Sequence, residues 1–374
     1  MPDNEKLVVC PADTETTPVA RYCNMLDGYS LQGMVSPGGW VYANNDVNFV
    51  DGGYETGIRF TDDFDMQLDL CDTIMFCDSY NSCSFEKYLL PKILKAKESK
   101  KKILLSFREK KEYGNGIHSA LKGYTGATFL NWNGKYDMPR KDIRHQLYSI
   151  NTPVIFIMGL GDRCNKFETQ LELRRYFMDM GYKVCQVGSK GYSSIFGFDA
   201  VPNFLYSDSY NIEEKIYLFN YYIKMQEKEK KPDVFIIGIP GGIMPFNGRE
   251  TNHFGIIPYI VSNAVKPDCV VLNIYYNFFM DEYFAELNNY CKYKFGFEIT
   301  GFNIANTRYS VNLEDKAHYL NFLSLDSNYV MSNIPKTIFD KWKLFNPLQK
   351  QNDNSMAEYI YDVLAGNISV LKSS

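Results

Sequence analysis

The sequence is short of histidine, of surplus positive charge, of long apolar runs and of paired cysteines, and each shortage closes off a class of function. Only 4 His occur in 374 residues, in unrelated contexts, so no Ser–His–Asp or Cys–His nucleophile arrangement is readable. Lysine and arginine number 40 against 44 aspartate and glutamate, a net charge of −4. That balance leaves no basic face to neutralise phosphates, so no nucleic-acid partner is expected. No apolar stretch reaches the ~18 residues of a membrane span. The opening Met-Pro-Asp-Asn-Glu-Lys has no signal-peptide character, and the expectation is a cytoplasmic protein with no membrane partner. The 9 Cys are scattered with no C-x-x-C pair, which fits a reducing compartment better than a disulfide framework or a metal site.

Apolar runs alternate with helical spacings instead. In the first half, Leu7–Cys10, Leu31–Val35, Thr73–Cys77 and Lys102–Phe107 have strand character, and Phe85–Lys97 carries apolar residues at helical spacing. In the second half, strands are expected at Val154–Met158, Val184–Val187, Val234–Ile239, Cys269–Ile274 and Glu298–Ala305. Helices are expected at Lys166–Met180, Ile212–Lys230 and Met280–Phe295, the first and last closed by Gly181 and Gly296. Strands separated by helices imply parallel sheets covered on both faces. The fold class is therefore α/β: an N-terminal Rossmann-like or flavodoxin-like domain over residues 1–150 and a doubly wound domain over 151–374, divided just before Pro153. No G-x-G-x-x-G follows the first strand, so dinucleotide binding there has no support.

In a doubly wound sheet, ligands bind at the carboxyl ends of the strands. The loop after Met158 reads Gly159-Leu-Gly161-Asp162-Arg163-Cys164-Asn165-Lys166-Phe167-Glu168-Thr169. A buried strand running into a Gly-rich turn, a lysine and a helix is the architecture of a phosphate-cradling loop. Gly159 and Gly161 allow close backbone approach. Asn165 stands where such loops have Gly, and Asn is the best non-Gly residue for a left-handed backbone. Phe167 stands where Ser or Thr would reach Mg²⁺; Thr169 is the nearest hydroxyl.

Gly159, five residues and Asn165-Lys166, with Thr169 beyond, resemble the longer phosphate loop of dethiobiotin synthetase and related P-loop proteins of the MinD-like class. That resemblance implies a P-loop NTPase-like domain binding ATP or another nucleotide, with Lys166 as the catalytic residue. Phe235-Ile-Ile-Gly-Ile-Pro-Gly-Gly-Ile-Met-Pro resembles a later strand of the same class, where a Glu on the metal precedes a glycine pair. Here that position is Gly238, so two expected Mg²⁺ ligands are replaced. The segment from Val187, with Gly188 and Gly191, is similar to a Gly-x-x-Gly loop in two-domain proteins joining a Rossmann-like half to a P-loop-like half. Some of those are D-amino-acid N-acyltransferases, which implies acetyl-CoA as an alternative cofactor. Cys-Asn-Lys-Phe-Glu paired with Gly-Tyr-Ser-Ser-Ile-Phe-Gly-Phe-Asp resembles clostridial peptide maturation system proteins. That resemblance implies an accessory role with a precursor peptide and a radical SAM maturase as partners.

Two further pairs complete the expected site. Gly241 and Gly242 offer backbone donors after the strand ending at Ile239. Asn303 and Asn306 each present donor and acceptor together, as a nucleobase edge requires, or else cap a turn. Asp13, Thr14, Thr16 and Thr17 follow the first strand at its carboxyl end, and His253 lies in a glycine-flanked segment. Asp62, Asp63, Asp65 and Asp69 fit a helix start better than a cation site. A non-catalytic scaffold with a degenerate loop is a further alternative, and related P-loop folds suggest a homodimer.

Overall fold

The computed structural model describes residues 4–81, 83–107, 111–130, 140–311, 320–350 and 355–372. The chain divides into two compact units: Met1–Asn133 with Gly191–Ala200, and Gly134–Lys190 with Val201–Ser374. Residues 131–139, ahead of the boundary expected just before Pro153, lie outside the described residues.

The first unit is a parallel sheet of β1 (Glu5–Cys10), β2 (Tyr29–Val35), β3 (Phe60–Thr61), β4 (Thr73–Cys77), β5 (Lys102–Ser106) and β6 (Ala127–Phe129). Their order is β3-β2-β1-β4-β5-β6, the doubly wound order of Rossmann domains. Four of its strands match the apolar runs of the sequence. The helix expected at Phe85–Lys97 begins as one π-type stretch, Phe85–Leu89, and continues as Leu90–Glu98. Asp63 caps the helix Phe64–Leu70 by accepting from Met66 N–H at 2.9 Å, and Asp65 pairs with exposed Lys95 at 2.6 Å. The acidic cluster is thus a helix start.

The second unit is built around β7 (Val154–Gly159), with β8 (Val184–Gly188), β10 (Val234–Gly238), β11 (Cys269–Tyr275), β12 (Gly301–Ala305) and β15 (Leu344–Phe345) in the order β15-β12-β11-β7-β10-β8. The short β9 (Asp199–Ala200) falls in the stretch grouped with the first unit. β13 (Thr307–Val311) and β14 (Leu320–Ser324) form an antiparallel pair. β7 is parallel to both neighbours, Phe156 standing opposite Ile237 and Val270.

All six residues of β7 are buried, because a parallel sheet is covered on both faces and its central strands must be apolar throughout. Alternate residues divide between the faces. Val154, Phe156 and Met158 join the cluster under the helices Ile212–Lys230, Ile256–Ala264 and Asp281–Phe295. Ile155 and Ile157 join the cluster with Leu173, Phe177, Met356 and Ile360, under the helices Lys166–Asp179 and Met356–Lys372. Each such side chain contributes about 1.5–3 kcal/mol by burial. The fold is therefore a Rossmann-like domain followed by a P-loop NTPase-like, doubly wound parallel-sheet domain.

Candidate phosphate-binding site

The loop between β7 and the helix Lys166–Asp179 leaves the carboxyl end of the central strand. It folds back tightly over that end. A Cβ at Gly159 would collide with Cys164 Sγ and the Lys166 side chain, and one at Gly161 with the Tyr275 hydroxyl and the Phe246 ring. Cys164 Sγ donates to the Gly161 carbonyl at 3.0 Å, and burial raises its thiol pKa. Arg163 and Asn165 both adopt left-handed backbone, φ 59° and 56°. Asn165 therefore supplies a left-handed loop position without glycine. Its side chain accepts from Asn306 N–H at 3.3 Å and donates to Glu168 Oε1 at 2.9 Å.

Lys166 opens the helix, whose first N–H groups lack intrahelical acceptors and carry the positive end of the helix dipole. Its ammonium donates to the Gly241 carbonyl on the loop after β10. Lys166 makes no ion pair with a carboxylate among the described residues. The two loops are locked together. Ile243 N–H donates to the Gly159 carbonyl at 3.1 Å, and Asn252 Nδ2 donates to the Leu160 and Met244 carbonyls at 3.0 and 2.8 Å. A Cβ at Gly242 would overlap the Leu160 carbonyl. Asn252 begins a left-handed turn with His253, Phe254 and Gly255, φ 47°, 49°, 55° and 71°, which leaves His253 exposed.

Several expected residues take other roles. Thr169 is fully buried. Its hydroxyl lies 2.7 Å from Asn273 Oδ1 and 3.0 Å from the Asn165 carbonyl, and it accepts from Asn303 Nδ2 at 2.7 Å. It cannot substitute for the missing Mg²⁺ ligand, because the helix and two strands already use it. Asn303 does not read a ligand edge, being fully buried beneath the same helix. Asn306 is also buried; its N–H holds Asn165 and its Oδ1 accepts from Asn346 at 2.7 Å. It shapes the loop from behind.

The structure divides the Gly188/Gly191 pair. Gly188 ends β8, its carbonyl accepting from Val201 N–H at 2.9 Å, whereas Gly191 opens the 3₁₀ stretch Gly191–Phe196 of the first unit. In that unit Tyr192 donates to the Glu15 carbonyl at 2.6 Å. Asp13 accepts from the N–H groups of Glu15, Tyr80 and Asn81 at 2.8, 2.7 and 3.1 Å. Burial pushes its carboxyl up to about 6, against the opposing pull of those bonds. Asp13 joins the loops after β1 and β4.

Sequence reasoning missed Gln170, Asn273 and an aromatic group. Gln170 Nε2 donates to the Lys166 carbonyl at 2.9 Å and to Ser189 Oγ at 2.8 Å, and its Oε1 accepts from Ser189 N–H at 3.1 Å. Tyr275, Phe246, Tyr309 and Phe322 pack with centroids 4.9–5.9 Å apart, and Tyr275 donates to the Asp162 carbonyl. Arg163 lies over Phe322, 4.8 Å from its centroid. Asn273 had a signal: an amide inside an otherwise apolar strand, in register with Asn303 and Gly159. Among the described residues no group of three or more His, Cys, Asp or Glu could hold a metal ion, and no helix is long and apolar enough to cross a membrane.

No family model matches the chain, and no curated protein matches it significantly. Among solved structures, a DUF1611 family protein from Anabaena variabilis is similar over 97% of this chain and 100% of its own, at 11% identity and a TM-score of 0.63. The likeness covers both units and concerns the fold. An ADP complex of a nucleotide-binding protein from Archaeoglobus fulgidus matches 57% of this chain and 86% of its own, at 13% identity and a TM-score of 0.30. Chloroplast FtsY from Physcomitrella patens matches 76% and 91%, at 14% identity and 0.31.

Proposed function

We propose that the second unit binds a phosphate-bearing ligand, with a nucleotide as the reference case, in the loop Gly159–Lys166. One observation carries the reading: an ammonium group with no carboxylate partner among the described residues opens a helix behind a left-handed turn, at the carboxyl end of the central strand. Backbone amides, helix dipole and Lys166 all favour negative charge there. The diphosphate of acetyl-CoA suits the same loop. A role in maturing a ribosomally made peptide, with a precursor peptide and a radical SAM enzyme as partners, rests on the resemblance of two sequence segments.

A thermal-shift panel of ATP, ADP, acetyl-CoA and inorganic phosphate tests the reading. A ligand at one hundred times its Kd adds about 2.7 kcal/mol of stability. The expected result is stabilisation of the native chain by at least one member and its loss in Lys166→Ala. No stabilisation by any member, or equal stabilisation of both proteins, refutes it.

A further inference from the structure

We infer that the loop takes its phosphate group without a divalent cation, an inference that rests on the anion-binding reading above. P-loop enzymes hold Mg²⁺ with a hydroxyl in the first turn of the loop's helix and a carboxylate on a neighbouring strand. The residues of this chain do not fit that ion. Phe167 follows the lysine with its ring buried in the interior. The next hydroxyl, Thr169, is fully buried, has one proton to give, and already accepts from Asn303.

The strand position of the expected acid is closed as well. At Gly238, on β10, any Cβ would collide with the Gln170 carboxamide. Gln170 is itself fully buried and held by the Lys166 carbonyl and by the hydroxyl and N–H of Ser189. An acid at 238 would therefore have to displace a satisfied side chain. On the other side of β7, strands β11 and β12 present Asn273 and Asn303, whose amides are turned on the Met158 carbonyl and on Thr169. Glu168, the carboxylate in the first helical turn, accepts from Asn165 and is buried. At these two strand positions neutral amides stand where a hard divalent cation would need oxygen anions.

The consequence is a ligand class and a sign. The phosphate acts as a handle held by amides and Lys166, and the occupant is a phosphate ester or diphosphate in its metal-free form. Mg²⁺ in solution should then compete for ATP rather than assist it, because chelated phosphate oxygens are no longer free for the loop. The test is ATP binding to the full chain by titration calorimetry in EDTA and in excess MgCl₂, with inorganic phosphate as a ligand that needs no chelation. Equal or weaker ATP affinity in MgCl₂ is expected. ATP affinity that rises about tenfold or more with MgCl₂, equivalent to about 1.4 kcal/mol, overturns the inference while leaving the anion site standing. Absence of binding by ATP and phosphate in both buffers removes the anion site and the inference with it.

Discussion

Replacing Thr169 by valine separates a structural hydroxyl from a ligand-binding one. The change preserves shape and removes one buried O–H. Two buried amide groups lose a partner: Asn273 Oδ1, now 2.7 Å from the hydroxyl, and Asn303 Nδ2, which donates to it at 2.7 Å. Asn303 Oδ1 already has no partner, so the substitution leaves that carboxamide with only a long contact to Met356 sulfur at 3.9 Å. A buried polar group left unpaired costs about 1–3 kcal/mol; two give about 2–6 kcal/mol, against a domain stability of about 5–15 kcal/mol. Thr169→Ser keeps the hydroxyl and should cost far less. Urea unfolding of the ligand-free protein measures both. A valine variant within about 1 kcal/mol of the native protein, but defective in ligand binding, would refute the buried-network account and return Thr169 to the ligand.

Three further outcomes follow from the same geometry. Asn165→Ala and Asn165→Gly both lose the bonds to Asn306 and Glu168, but only alanine bears the left-handed backbone cost of about 1–2 kcal/mol; urea midpoints should place glycine above alanine, and the reverse order contradicts the φ of 56°. Asp13, raised from 3.8 to about 6 by burial, binds its proton more tightly folded than unfolded. Its contribution is therefore greatest below the unfolded value and is lost as pH rises through about 6, by about 3 kcal/mol in total. Asp13→Asn should flatten that segment of the stability–pH curve, and an unchanged slope would show the shift to be wrong. All 9 cysteines are free and 7 are buried, so a thiol reagent should modify at most Cys23 and Cys83 in the native protein and all nine after unfolding; native stability should not change with reductant.

The central strands were legible in the sequence because burial on both faces leaves an unbroken apolar run, as in Val154–Met158 and Cys269–Ile274. Helix ends at Gly181 and Gly296 were legible because both need left-handed backbone, φ 84° and 83°. Asn165 was legible for the same reason. Short edge strands such as Leu344–Phe345 carry too few residues to show a period. The roles of Thr169, Gln170 and Asn303 depend on partners up to 134 residues away, so a hydroxyl two positions beyond the expected one looked available when packing had already used it. Tyr275, Phe246 and Phe322 were hidden in a chain with 29 Tyr and 26 Phe, where aromatic content singles out no residue.

The loop amides and the Lys166 ammonium are expected to converge on one anion. Backbone amide chemical shifts during titration with inorganic phosphate test it most directly. The expected result is a set of saturable shifts concentrated in Gly161–Lys166 and abolished by Lys166→Ala. Shifts that bypass this loop, or that persist unchanged without the ammonium, would contradict it.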